Sequence, residues 1–194
     1  MEFEPYDGYF WQGGKVRLRA PQIEDAAKKL REYTDTEARS WLQCGMDLPP
    51  VSLTAYIEGL KPYCDFKDTS RMTMFGIETL AGEYVGWINL FANNLRHGVF
   101  SFGVSVFREY QRNGYAADAV RILLRYGFSQ LRMQKCNSAC IAINDGSIRL
   151  HQKLGFKEEG RRRRGIYLNG QFYDDVLWGL LKEEFDENER QNGC

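Results

Sequence analysis

The first third of the chain changes from a strand-like to a helix-like pattern of apolar positions. Basic and apolar side chains alternate over residues 15–19, which predicts a β-strand. Pro21 follows, and its fixed φ angle suits the first turn of a helix whose apolar residues recur at helical spacing up to Leu30. Ser52 is placed to cap a second helix, which we expect Pro62 to disturb or end. The pattern therefore predicts one strand and then two helices.

The middle of the chain contains three strand-like runs joined by short polar links. They cover residues 71–79, 83–91 and 97–107, so we expect an antiparallel meander. Over residues 114–131 the apolar positions recur every three or four residues and charged side chains lie opposite them, which predicts an amphipathic helix. The end of a strand is thus followed closely by the start of a helix.

The last part of the chain is predicted to alternate between strands and one short helix. These elements are a buried strand at 136–143, a helix at 145–154, and strands at 156–168 and 171–181. Gly155 is a typical residue to end the helix, and Asn169-Gly170 favours a two-residue hairpin turn between the last two strands. The element order is therefore mixed, with a meander, a helix, a strand, a helix and a hairpin.

The composition fits one folded domain. The chain has 194 residues, of which 43% are hydrophobic and 14% aromatic, and this is too apolar for a disordered chain. Its 26 basic and 26 acidic side chains cancel, so nothing electrostatic favours nucleic acid as a partner. We expect a single domain over residues 1–194, with a core from about residue 14 to residue 185 and loose ends at residues 1–13 and 187–194.

Membrane, disulfide and metal sites are not expected. No window approaches the roughly 18 to 20 apolar residues of a membrane-spanning helix, and the acidic N-terminus does not resemble a secretory signal, so we expect a cytoplasmic protein. The five cysteines include no C-x-x-C pair and the chain has only two histidines, which argues against a disulfide framework or a bound metal. Cys136 and Cys140 are expected to be small buried residues.

The segment between the meander and the long helix is the most informative about chemistry. Gln111, Gly114 and Ala116 lie where a turn meets a helix N-terminus, whose free backbone N–H groups and positive dipole end favour a phosphate group. The P-loop and the dinucleotide pattern G-x-G-x-x-G are both absent, which argues against an NTPase and a dehydrogenase. Such turns also occur as plain connections that bind nothing, so the pattern alone leaves both interpretations open.

Two segments together resemble the GNAT superfamily of N-acetyltransferases. Gln111-x-x-Gly114-x-Ala116 is similar to the family's Q/R-x-x-G-x-G/A loop, which holds the pyrophosphate of acetyl-CoA. Residues 144–156 are similar to the asparagine, short helix and K-x-G-F that follow the next strand in that family. The resemblance extends from about residue 15 to residue 184, and the closing hairpin resembles the branch of ribosomal-protein and spermidine acetyltransferases.

The resemblance implies an α+β fold of three layers (α/β/α). A mixed, mostly antiparallel sheet of about six or seven strands would have helices on both faces and would bind acetyl-CoA between two splayed parallel strands. The N-terminal stretch with its tryptophan and the helices between residues 23 and 63 would then wall the acceptor pocket. The residues that the resemblance assigns to acetyl-CoA are Val104, Ser105, Val106, Gln111, Arg112, Asn113, Gly114, Tyr115, Ala116, Asn144, Ser147 and His151.

The strand that ends at Phe107 has one apolar face and one face of small residues. The small residues are Ser101, Gly103 and Ser105, and they alternate with phenylalanine and valine. This face either leaves room for the pantetheine arm of acetyl-CoA or packs under a helix, and the alternation alone does not decide between the two. Asn144 similarly suits a helix N-cap, while the resemblance adds a contact with CoA.

Acetyl transfer needs a base for the amine and an acid for the departing thiolate. Ser147 and His151 share one helix face and rank together as acid candidates, since the resemblance gives a serine this role and histidine replaces the family's common tyrosine. A lone histidine on such a face is more often structural. Many relatives have a glutamate base where this chain has Ser101, so the base is unassigned; Glu78 and Glu83 either act through water or are simply solvated.

Three functions fit these observations. The first is an acetyl-CoA-dependent N-acetyltransferase in which a primary amine of a protein N-terminus, a polyamine or another small molecule attacks the thioester directly. The second is a CoA-binding or regulatory module without catalysis, because Ser101 replaces the glutamate. The third is a plain interaction domain with exposed aromatic residues, which would be Phe10, Trp11 and Trp41. The four arginines at 161–164 are expected to form a solvated strand, and a homodimer is left open.

Overall fold

The computed structural model describes residues 8–34, 50–65 and 72–192, and Trp41 lies outside these ranges. Every strand and helix expected from the pattern is present. In chain order the elements are β1 (Val16–Arg19), α1 (Asp25–Thr34), α2 (Leu53–Cys64), β2 (Met72–Thr79), β3 (Tyr84–Asn94), β4 (Val99–Val106), α3 (Tyr115–Arg125), β5 (Lys135–Ile141), α4 (Asp145–Lys153), β6 (Lys157–Leu168), β7 (Gln171–Leu181) and α5 (Lys182–Asn192). Short 3-10 turns at Leu95–His97 and Arg108–Tyr110 flank β4, and a π-helical turn at Tyr126–Gln130 extends α3.

The seven strands form one sheet in the order β1-β2-β3-β4-β5-β7-β6. Every neighbouring pair is antiparallel except β4 and β5, which run parallel. This arrangement confirms the expected mixed, mostly antiparallel sheet of six or seven strands.

The parallel pair β4 and β5 separates along its length. The two strands are paired only from Val99 with Lys135 to Ser101 with Asn137. β4 continues to Val106 and β5 to Ile141 without further pairing between them. Main-chain groups on the sides that face this gap are therefore available to a ligand that enters between the strands.

Helices cover both faces of the sheet. On one face Phe100 of β4 is fully buried beneath the segment that follows α3, where a Cβ atom at Gly127 would lie 2.5 Å from the Phe100 ring. Only glycine permits so close an approach. On the other face, Trp87 and Ser105 donate hydrogen bonds to Glu32 of α1. The three-layer α/β/α arrangement is thus confirmed.

The segment before β1 is packed rather than loose over residues 8–13. The ring of Trp11 lies 5.0 Å from that of Phe75 and 4.7 Å from that of Tyr126. Phe10 is half-buried beside it, with its ring 5.3 Å from Trp11. The expectations that this stretch is loose and exposes an aromatic patch are wrong for residues 8–13, because their rings pack onto the core. The expectation that it walls the acceptor pocket stays a prediction.

The polar C-terminal segment is helical up to Asn192. Near its start Phe185 is 6% exposed, with its ring 5.3 Å from that of Phe128, and farther along Glu189 lies 3.9 Å from Arg121 of α3. The expectation of a frayed tail is wrong for residues 187–192, because α5 docks beside α3.

Two predictions about turns and caps have different outcomes. The Ser52 hydroxyl accepts a hydrogen bond from the N–H of Ala55 over 3.2 Å, as a cap requires, but α2 continues past Pro62 to Cys64. Proline is tolerated this close to the end of the helix because few later hydrogen bonds depend on it. Between β6 and β7, Asn169-Gly170 has φ angles of 49° and 83°, so the expected hairpin turn is confirmed.

β6 is an edge strand, and the four arginines at 161–164 are exposed on it. Arg161 pairs with Glu158 over 2.7 Å, and Arg162 pairs with Asp175. The solvated-strand interpretation is therefore confirmed, and the charges protect the sheet edge from pairing with another chain. Cys136 and Cys140 are buried as expected, at 0% and 3% exposure. Within the described ranges, no helix is both long and apolar enough to cross a membrane.

Candidate active site

A cavity of about 800 Å³ lies at the carboxyl end of β4. Its walls are the end of β4, the loop that leads into α3, the first turns of α3 and α4, and one side of α1. The site residues expected from the sequence that line it are Val104, Ser105, Val106, Gln111, Arg112, Gly114, Tyr115, Ala116, Asn144 and Ser147. Asn113 and His151 do not belong to the lining.

The loop before α3 is shaped by its own side chains. The Gln111 side-chain amide donates to the carbonyl of Val106 over 3.2 Å, and the Asn113 amide donates to the carbonyl of Tyr110 over 3.0 Å. Arg112 has a φ of 65° and Gly114 a φ of 82°, both in the left-handed region. Asn113 therefore shapes the turn from within, which explains why its side chain is not part of the cavity wall.

The N-terminus of α3 points uncapped backbone donors at the cavity. Gly114 is the N-cap residue and supplies no side chain, and the first main-chain bond of the helix runs from Asp118 N–H to the Gly114 carbonyl over 3.2 Å. Among the described residues, no acceptor is found for the N–H groups of Tyr115, Ala116 and Ala117. Such groups, at the positive end of a helix dipole, suit an anion.

The start of α3 is fastened to β1 by one carboxylate. Asp118 accepts hydrogen bonds from the N–H groups of Lys15 over 2.7 Å and Val16 over 2.9 Å. The Lys15 ammonium in turn donates to the Asn113 carbonyl over 2.8 Å and lies 3.3 Å from where a Gly114 Cβ would be. Sequence reasoning missed this anchor, because its partners lie about a hundred residues apart along the chain.

The cavity lining is basic although the chain as a whole has no net charge. Its only acidic residues among those described are Glu32 and Glu109. Six basic side chains line it, namely Lys28, Arg31, Arg108, Arg112, Arg149 and Lys153. This excess of positive charge matches a polyphosphate ligand. The six residues come from three separate segments of the chain, so their convergence does not show in the sequence.

The N-terminus of α4 differs from that of α3 because it is capped. The Asn144 side-chain oxygen accepts the N–H of Ser147 over 2.9 Å, which confirms the expected cap. Ser147 lines the cavity, so this helix contributes a hydroxyl to the site instead of free main-chain donors.

His151 lies behind Ser147 in the core, at 2% exposure. Its Nδ1 is 2.7 Å from the Ser147 carbonyl, which can only accept, so Nδ1 carries the proton. Its Nε2, 2.8 Å from the Ser138 hydroxyl, is then the acceptor. The ring is stacked on Trp178 with centres 5.3 Å apart.

Burial lowers the pKa of His151 to about 4, while the bond to the Ser147 carbonyl acts in the opposite direction. The imidazole is therefore neutral near pH 7. Both ring nitrogens of His151 are thus engaged in the core, whereas Ser147 lines the cavity.

The two carboxylates near the turn between β2 and β3 are committed to other partners. Glu78 pairs with Arg17 over 2.5 Å and Arg19 over 2.8 Å. Glu83 accepts a hydrogen bond from the Tyr110 hydroxyl over 2.7 Å, and that bond together with Lys28 lowers its pKa. Neither lines the cavity. Two acidic side chains that the sequence did not single out, Glu32 and Glu109, do line it.

Comparison with known proteins identifies the family of this chain. Residues 15–157 match the family described as the acetyltransferase (GNAT) domain. The chain belongs to the GNAT acetyltransferase family. Over 181 residues it is 38% identical to YokL of Bacillus subtilis strain 168, named as an SPbeta prophage-derived uncharacterized N-acetyltransferase, and the match covers 92% of this chain and 97% of YokL.

Other matches agree with the branch expected from the closing hairpin. The GNAT chain is 31% identical over 177 residues to YdaF of B. subtilis, named provisionally as a ribosomal N-acetyltransferase, covering 88% of this chain and 92% of YdaF. Its fold superposes with a TM-score of 0.76 on spermidine N-acetyltransferase from Vibrio cholerae in complex with CoA and spermine, at 20% identity and covering 88% and 97% of the two chains. The chain is an N-acetyltransferase whose acetyl donor is acetyl-CoA.

Proposed function

We propose that this GNAT protein transfers the acetyl group of acetyl-CoA to a primary amine by direct attack, with residues 111–116 holding the pyrophosphate. The observation that carries the proposal is the uncapped N-terminus of α3, which presents the N–H groups of Tyr115, Ala116 and Ala117 to a basic cavity. Asp118 and Lys15 hold these donors in place before any ligand arrives, so binding does not have to order them.

The remaining cofactor contacts follow from the walls of the cavity. Arg112, Arg149 and Lys153 add positive charge beside the α3 donors, where the phosphates would lie. Main-chain groups of Val104, Ser105 and Val106 border the gap left by β5 and would pair with the pantetheine arm. Bound there, acetyl-CoA supplies the thioester carbonyl that the amine attacks.

Ser147 is the proton donor that we assign to the departing sulfur. Its hydroxyl lies at the start of α4 on the cavity wall and 3.4 Å from Nδ1 of His151. Because Nδ1 donates to the Ser147 carbonyl, His151 fixes this turn of the helix and does not itself contact the ligand. His151 is therefore a positioning residue in this proposal.

Direct attack is favoured over a covalent acetyl-enzyme because the described part of the cavity lining contains no cysteine. Cys136 and Cys140 belong to the buried core. Glutamate, lysine and serine side chains do line it, but an amine acceptor needs only a route to the thioester and a group that takes its proton. The acceptor, a homodimer and a cytoplasmic location all stay predictions.

The test is to incubate the purified protein with acetyl-CoA at about 1 mM, the upper end of common KM values, and to follow CoA release across a panel of primary amines. We expect release that depends on an amine. The variant Ser147→Ala should lower kcat by about 100-fold with little change in the KM for acetyl-CoA. Binding of acetyl-CoA without release for any amine would support the regulatory module, and absence of binding would overturn the assignment of the cavity.

A further inference from the structure

Glu32 stands in the cavity wall opposite Ser147. It lies on α1, on the sheet face away from α4, and is half-buried. Trp87 Nε1 donates to one carboxylate oxygen over 2.9 Å, and the Ser105 hydroxyl donates to the other. Two donors on two neighbouring strands thus fix the plane of this carboxylate, as expected for a group whose orientation matters.

Three basic side chains lie on α1 close to Glu32. Lys29 is 7% exposed, and its ammonium group lies 4.6 Å from the centre of the ring of Trp87. The same tryptophan donates a hydrogen bond to Glu32. Lys28 is occupied by the Tyr84 carbonyl over 2.7 Å, and Arg31 lines the cavity beside Glu32. Of the two carboxylates in the described part of the lining, Glu109 lies in the loop before α3, whereas Glu32 lies on α1, away from the proposed phosphate site. Glu32 is therefore the carboxylate placed to attract the ammonium group of an acceptor.

Building on the proposed function, we infer that Glu32 binds the ammonium group of the acceptor and takes the proton that must leave before the nitrogen can attack. Ser105, which holds Glu32, is also one of the main-chain positions proposed to pair with the pantetheine arm. The carboxylate therefore reaches the arm from the α1 side while Ser147 reaches it from the α4 side. Glu32 supplies the base that the sequence lacks at Ser101.

The proton and bond changes balance with these two groups. The acceptor ammonium gives one proton to Glu32, and its nitrogen then forms the C–N bond to the acetyl carbonyl carbon as the C–S bond breaks. A second proton passes from nitrogen to the departing sulfur by way of the Ser147 hydroxyl. The products are the amide and CoA thiol, and Glu32 returns its proton to water.

The experiment compares Glu32→Gln with Glu24→Gln, which removes the same charge from an exposed position just before α1 and outside the cavity lining. The probes are spermidine and a tetrapeptide with a free N-terminus. Comparing them shows whether the acceptor ammonium group belongs to a polyamine or to a peptide N-terminus. For whichever probe is acetylated, Glu32→Gln should lower kcat/KM for the amine at least about 100-fold, within the usual contribution of a general base, while the KM for acetyl-CoA stays within about threefold. Glu24→Gln should change both values by less than about fivefold.

The pH dependence separates a base from a structural support. The deficit of Glu32→Gln should shrink between pH 7 and pH 9.5, by at least about tenfold with spermidine and by about fivefold with the tetrapeptide, because free amine becomes abundant without a base. A structural defect would lower the rate equally at both values. Ser105→Ala, which keeps the carboxylate but removes one of its donors, should lose activity only severalfold. If Glu32→Gln does not fold, Glu32→Asp serves instead and should keep part of the activity.

The outcomes distinguish the two proposals. If the wild-type protein acetylates a probe and Glu32→Gln does so within threefold of the same rate, the role of Glu32 is overturned and the proposed function stands. A deficit that is constant with pH also overturns it. If the wild-type protein releases CoA with neither probe nor any amine of the panel, direct acetyl transfer fails, and the role of Glu32 fails with it.

Discussion

Two helices begin at the same cavity, and their N-termini are built in opposite ways. α3 begins at Gly114, which supplies no capping side chain, so the first amides of the helix face the cavity with no described protein acceptor. α4 begins at Asn144, whose side-chain oxygen already accepts the N–H of Ser147. The first helix therefore offers main-chain donors to a ligand, whereas the second satisfies its own donor and offers a hydroxyl.

This difference shows how one local feature of the sequence leads to two different sites. A helix N-terminus favours an anion only where its donors remain open, and a capping side chain competes for them. We accordingly assign the pyrophosphate to α3 and the thioester chemistry to α4. Substitutions that alter each N-terminus separately can break this division of roles.

The largest effect is expected at Gly114. The variant Gly114→Val places a branched side chain at a φ of 82° and a Cβ atom 3.3 Å from the Lys15 ammonium, so the turn must move away from the position that presents the amides. A hydrogen bond to a charged group commonly contributes about 1.5–3 kcal/mol, and here several donors move together, so we expect acetyl-CoA affinity to fall about 1,000-fold. Isothermal titration calorimetry measures it.

Gly170 provides the matched control for that substitution. It has a φ of 83° in the hairpin turn between β6 and β7, where a Cβ atom would meet nothing within 4 Å. Gly170→Val should therefore cost similar backbone strain, about 1–2 kcal/mol, and leave acetyl-CoA affinity unchanged. If Gly114→Val and the wild-type protein bound acetyl-CoA with equal affinity, the N-terminus of α3 would not be the phosphate site.

The turn that leads into α3 was predictable from the sequence because the residues that shape it are close together in the chain. Gln111, Gly114 and Ala116 lie within one turn and shape it through bonds to near neighbours such as that from Gln111 to Val106. The Glu32 site was not predictable, since its carboxylate is held by residues 55 and 73 positions away in the chain. Nothing in the spacing of α1 distinguishes Glu32 from a solvated glutamate.

A second, smaller effect is expected from His151 on stability. Because burial lowers its pKa from 6.5 to about 4, the unfolded chain binds more protons than the folded chain between these pH values, and stability falls as the pH falls. From pH 7 to pH 5 this one group should cost about 2 kcal/mol of the free energy of unfolding. Urea denaturation at the two pH values measures it.

His151→Phe is the variant that isolates this contribution. The phenyl ring retains the stacking on Trp178 and Phe102 but does not titrate. The loss of stability between pH 7 and pH 5 should be about 2 kcal/mol smaller than in the wild-type protein. An identical loss in both proteins would mean that the imidazole is accessible to protons in the folded state, and would restore His151 as an acid candidate beside Ser147.

The sequence left Ser147 and His151 as equal candidates for a physical reason. They lie one helical turn apart on the same face of α4, so spacing alone treats them alike. What separates them is the environment supplied by β5 and β7, where Ser138 and Trp178 enclose the imidazole. A position on a helix face can be read from spacing, but burial depends on the strands that the face meets.

The smallest effect is expected at Asn144. Asn144→Ala removes the acceptor for the Ser147 N–H and should cost about 1 kcal/mol of the free energy of unfolding, whereas Asn144→Ser keeps a capping oxygen and should cost less. Both variants should bind acetyl-CoA within about tenfold of the wild-type affinity, far closer than Gly114→Val, because the amides of α3 are untouched. Thermal denaturation and calorimetry give the two quantities. If Asn144→Ala instead lost as much acetyl-CoA affinity as Gly114→Val while keeping wild-type stability, the main function of the Asn144 side chain would be to bind acetyl-CoA and not to cap α4. The N-termini of α3 and α4 would then both bind the cofactor.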